Sequence, residues 1–150
     1  MDAVQTTHLG MQDLDRHDRS AEPVIEDAAA DDAQAAIDAA LRMHHHPGDT
    51  ELARLTDRLI SHCTDLAAAL AEIPEDERPA RGTSALEYWA GLRDSGPSDG
   101  AMANWSYARQ MACVARDMLT ATRGHAAVRR RVDGAFVGRE ALPLLAPGRP

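Results

Sequence analysis

From Leu52 the apolar positions Leu55, Leu59, Cys63, Leu66, Leu70 and Ile73 recur every three or four residues, the spacing that keeps side chains on one face of an α-helix. Asp49 or Thr50 is placed to cap this helix, and Pro74 ends it because proline breaks the hydrogen-bond ladder. A second long stripe, Met102, Trp105, Ala108, Ala112, Ala115 and Leu119, is widened by Met111, Val114 and Met118. That helix is expected to run to about Thr122, with Gly124 supplying a left-handed stop. Between the two stripes, Leu86, Trp89 and Leu92 predict a short helix from Ala85 to Arg93, with Ser84 and Glu87 at the capping-box spacing. Upstream, the alanine-rich stretch from Val24 to Met43, with Ile37 and Leu41 one turn apart, predicts a weakly amphipathic helix from about Asp31. Its anchors are few, so it is the least secure wall.

The breaks fall where turn chemistry concentrates: His44-His45-His46-Pro47-Gly48, the acidic connector from Pro74 to Pro79, and the run from Asp94 to Gly100. The expected architecture is all-α, an up-down bundle of three to four helices over residues 24–122. Residues 1–23 lack a sustained apolar period and read as a disordered acidic tail. Residues 123–150 read as a second tail, in which Val132, Phe136, Leu142 and Leu144 sit among glycines and prolines at a spacing that fits no single helix.

Composition narrows the source of core stability. The chain is 44% hydrophobic, but much of that is alanine, so the anchoring falls to a modest set of larger side chains. Only 3% of residues are aromatic, which makes the positions of Tyr88, Trp89, Trp105 and Tyr107 informative. All 16 basic residues are arginine, and with abundant alanine, glycine and aspartate they fit a GC-rich, actinobacterial genome. The net charge of -8 is unevenly spread: residues 1–50 hold eleven acids and three arginines, residues 123–150 six arginines and two acids. An acidic chain without a broad basic face argues against duplex nucleic acid as a partner, since phosphate neutralisation supplies most non-specific affinity. Arg129-Arg130-Arg131 is the one basic run, read as a solvated segment or as a mate for the acidic N-terminus. With no signal peptide, and with Cys63 and Cys113 far apart, both thiols are expected reduced in the cytoplasm. No apolar run approaches the ~20 residues of a membrane span.

Candidate chemistry is sparse. The three adjacent histidines could ligate a transition metal, but neighbours on a helix end diverge and no further ligand pattern accompanies them, so no metal site is expected. His62 beside Cys63 has the composition of an activated thiol, yet sequence neighbours on a helix point about 100° apart and Cys63 lies on the apolar stripe. The phosphate loop, serine elbow and dinucleotide fingerprint are all missing, and no cofactor is expected. What remains is a cluster of aromatic and methionine residues. Tyr88, Trp89, Met102, Trp105, Met111 and Met118 would line an apolar pocket or a dimer seam if they face one another, or simply form the core. His62, Tyr107 and Arg109 would then be the polar groups acting on a ligand.

Three pieces in order resemble a group of short, functionally uncharacterised actinobacterial proteins loosely labelled natural product biosynthesis proteins. They are the turn Leu70-Ala71-Glu72-Ile73-Pro74-Glu75-Asp76-Glu77-Arg78-Pro79, the segment Ala85-Leu86-Glu87-Tyr88-Trp89-Ala90-Gly91-Leu92-Arg93, and the segment from Tyr107 to Arg116. The similarity spans about Asp49 to Thr122. It implies a helical domain with a link to specialised metabolism and carries no assigned active site. The leading expectation is therefore a protein that binds an apolar biosynthetic intermediate, as a cofactor-independent cyclase or isomerase working by confinement. The competing expectation is a non-enzymatic homodimeric interaction or regulatory module.

Overall fold

The computed structural model describes residues 27–137. They form four helices: α1 (Asp27–Arg42), α2 (Asp49–Glu72), α3 (Ala80–Ser95) and α4 (Ala101–Val137). The expected N-terminal tail and the end of the expected C-terminal tail lie outside the described residues.

Long-range contacts give the directions of the helices. Asp31 near the start of α1 meets Arg123 far along α4, while the end of α1 meets Arg109 nearer the start of α4, so these helices are antiparallel. The start of α3 packs at Ala121, where an added Cβ on Gly82 would lie 3.1 Å from the Ala121 Cβ, and the end of α3 meets Tyr107. α3 is therefore antiparallel to α4 as well. With short connectors throughout, the chain makes an up-down-up-down bundle. α2 and α4 pack together at its centre, and α1 and α3 each touch both of them but not each other.

The predicted stripe of α2 is buried at every position from Leu52 to Ile73, as is most of the α4 stripe from Tyr107 to Ala121. α1 docks through alanine: Ala30, Ala33, Ala36 and Ala40 are buried with Ile37. Small side chains let helix axes approach closely, which compensates for the scarcity of large anchors on this helix.

Four sequence expectations about boundaries are corrected. α1 already includes Asp27, ahead of the expected start near Asp31, and Ala30 belongs to its buried face. Gly48, with φ 99°, stands at the N-cap of α2, so Asp49 and Thr50 are helical residues and no side chain caps this end. α3 begins directly after Pro79, five residues before the expected start, which leaves Ser84 and Glu87 exposed on the body of the helix instead of forming a capping box. Most consequential, α4 passes through Gly124, which has no positive φ, and continues to Val137. Isolated glycine costs a helix only about 1 kcal/mol, and good helix formers surround this one. Val128 and Val132 therefore belong to α4 rather than to an irregular tail.

Candidate functional site

The residues predicted to carry chemistry divide between the core and the structural fastenings of the bundle. Arg109 is placed by α4 opposite the C-terminus of α1, where the last carbonyls have no partner within the helix. Its Nη1 donates to the Ala40, Leu41 and Met43 carbonyls at 3.4, 3.1 and 3.2 Å. A cation there also opposes the negative end of the helix dipole. Arg78, which sequence reasoning did not single out, does the same for α2: Nε donates to the Leu70 carbonyl at 3.0 Å and Nη2 to Ile73 at 2.9 Å.

His62 lies between α2 and α1, with Nε2 3.2 Å from the Asp32 carboxylate. Arg58, one turn earlier, donates to the other Asp32 oxygen at 2.8 Å. This trio ties α1 to α2. Tyr107 is buried and its hydroxyl donates to the Leu92 carbonyl at 3.4 Å, joining α4 to the last turn of α3. Burial raises its pKa, with a smaller contribution from the nearby Cys63.

Cys63 is fully enclosed, and its thiol points at the Met111 carbonyl at 3.6 Å. Desolvation pushes its pKa up to about 12. Such a thiol is a packing group, not a nucleophile at neutral pH. Because the unfolded thiol ionises near 9 and the folded one near 12, the folded state loses stability as pH rises through this interval. The melting temperature is expected to fall between pH 9 and 12, and Cys63→Ala is expected to flatten that fall; an unchanged slope in the variant would assign the effect elsewhere.

The aromatic and methionine cluster is not a single lining. Trp89, Met111 and Met118 are core residues, Trp105 is partly buried against them, and Tyr88 and Met102 are exposed. The Trp105 indole N–H is buried without a hydrogen-bond partner among the described residues. Tyr107 also borders a surface recess of about 430 Å³ with Leu52, Ile60 and Asn104. Cys63 and Cys113 are free thiols. Among the described residues no group of three or more His, Cys, Asp or Glu side chains converges as a metal site, and no helix is long and apolar enough to cross a membrane.

The distal part of α4 carries a feature outside the predicted set. Met111, Val114, Met118, Ala121, His125, Val128, Val132 and Ala135 alternate in steps of three and four, the spacing of a coiled-coil seam. The seam is buried as far as Ala121; beyond it, Val128 and Val132 are 59% and 57% exposed. At 37 residues against 24 for α2, α4 outruns its neighbours. Alongside, the first turn of α1, the end of α2 and α4 enclose a trough of about 580 Å³, with Ala30, Ala69, Ile73, Leu119 and Ala126 among its apolar lining and with Asp27, Glu72 and Asp133 facing it beside Arg123, Arg129 and Arg130. A second recess shares His125, Arg129 and Asp133 with it and adds Val128 and Val132.

Residues 31–127 match the family described as "Family of unknown function (DUF6415)". The chain belongs to that family. The match takes in nearly all of the bundle and ends just before Val128, so the exposed end of the seam lies beyond it. Among curated proteins and among solved structures, none matches the chain.

Proposed function

We propose that this DUF6415 protein is a non-enzymatic interaction module whose distal α4 receives an acidic amphipathic helix. The observation that carries the reading is the continuation of the α4 seam past the bundle, with Val128 and Val132 left uncovered. A helix face with coiled-coil spacing gains by burying itself against a partner. Charge selects the partner: from Arg123 to Val137 the helix carries four arginines and one acid on a chain whose net charge is -8. While Arg123 and Arg129 face Asp31 and Glu77 at 3.3 and 3.9 Å, the segment as a whole stays basic. Two copies of this face would set Arg129 and Arg131 against their own counterparts, whereas glutamates flanking a partner's apolar seam would complement them. In keeping with this reading, Arg109, His62, Tyr107 and Cys63 all have structural partners.

The test uses a fluorescent peptide of three heptads with leucine on its seam and glutamate beside it. Saturable binding is expected, weakened at least tenfold by Val128→Asp with Val132→Asp, and absent for a lysine counterpart. Binding that ignores the two substitutions, or no binding at all, would overturn the proposal. Because both valines are exposed, the substitutions leave the core intact.

A second reading, an apolar-ligand protein of actinobacterial specialised metabolism, is favoured by the recess beside Leu52, Ile60 and Tyr107. There the Tyr107 hydroxyl would orient a ligand. It predicts that the metabolites of a neighbouring biosynthetic pathway raise the melting temperature, and a flat response would remove it.

A further inference from the structure

The seam of α4 is apolar at every step but one. Met111, Val114, Met118 and Ala121 are buried and Val128 and Val132 are exposed; between the two sets, in the same alternation of three and four, stands His125. It is the first seam position that the bundle leaves only partly covered, and it borders both recesses beside distal α4. Among the described residues, neither ring nitrogen has a hydrogen bond or an ion pair. The partly exposed ring meets solvent instead.

A helix seated on Val128 and Val132 would cover His125 as well, because residues three apart are neighbours on a helix surface. A polar group covered without a mate weakens binding, whereas a fitting mate removes that loss, so one polar seam position can discriminate among partners. We propose that His125 selects a partner helix whose seam carries a side-chain amide opposite it. The inference rests on the reading of distal α4 as a partner seat and adds one residue to the description of that partner.

The amide follows from two arguments. A neutral imidazole has one N–H to donate and one nitrogen to accept, and an amide offers both the matching acceptor and the matching donor. A charged mate is not selected, because the groups bordering the two recesses are of both signs, with Arg129 and Asp133 common to both. A carboxylate or ammonium in the seam would also have to be stripped of water. The partner's glutamates stay on the flanks of its seam, where solvent reaches them.

Two glutamate heptad peptides are titrated with the full-length chain and with its His125→Leu variant. One has leucine at every seam position; the other has asparagine at a central one. The asparagine is expected to reduce affinity for His125→Leu by a factor at least ten times larger than its effect on the native chain. Each factor compares two peptides on the same protein, so a general loss of stability in the variant does not imitate the result. An asparagine effect that is the same on both proteins, or larger on the native chain, overturns selection by His125 while leaving the seat standing. No binding of either peptide by the native chain overturns the seat itself.

Discussion

Trp89→Ala is expected to lower the stability of the bundle by about 3–5 kcal/mol, the cost of emptying a packed aromatic site. The indole is 5% exposed and belongs to the same buried cluster as Leu59, Met111 and Met118. A small domain has only about 5–15 kcal/mol to lose, so the variant should unfold at markedly lower urea concentration. Tyr88→Ala is the control, because Tyr88, next to Trp89 in sequence, is 53% exposed and its loss should shift the midpoint little. Far-ultraviolet circular dichroism reads both, since the tryptophan signal is altered. A loss below about 1 kcal/mol in Trp89→Ala would mean that the ring fills a ligand cavity rather than the core.

Arg109→Ala is expected to cost about 2 kcal/mol, because charge-assisted hydrogen bonds are worth roughly 1.5–3 kcal/mol and their removal strands the carbonyls that accept them. Two carbonyls of the last turn of α1 and that of Met43 just beyond it depend on this one guanidinium. The effect should be local as well as global, with the amides of α1 exchanging with deuterium faster than those of α2 or α4. Arg109→Lys should recover little, since all three contacts are made by Nη1 and the lysine ammonium ends one bond short of that position. If Arg109→Ala leaves both stability and α1 exchange unchanged, the guanidinium is not the fastening described here.

The fold was legible because the α2 and α4 stripes are long and regular, and every large residue on the α2 stripe is buried as its spacing predicts. α1 was harder to read. Its buried face is made of alanine, which hydropathy barely distinguishes from its exposed face, so Ala30 gave no sign of belonging to the core. The cap that Arg109 supplies comes from far along the chain, where no local pattern announces it, and the one that Arg78 supplies comes from the turn directly after α2, whose backbone path the sequence does not specify.

Of the candidate residues, periodicity identified Trp89, Met111 and Met118 as inward-facing but could not separate a lining from a packed core. Helical phase could not settle the placement of Tyr88 and Met102 either, and both are exposed. The feature that matters most was concealed by one residue. Gly124 suggested a stop, yet the steps from Met118 through Ala121 and His125 to Val128 and Val132 continue without a break. Extending the heptad across the glycine would have found the seam; the general weight given to glycine as a breaker hid it.

The most direct test of the partner seat is fluorescence anisotropy of the glutamate heptad peptide titrated with the full-length protein and with its Val128→Asp, Val132→Asp variant. The account predicts saturable binding to the first and at least tenfold weaker binding to the second, with the circular dichroism of both proteins alike. Equal binding by the two proteins, or none by either, would contradict it.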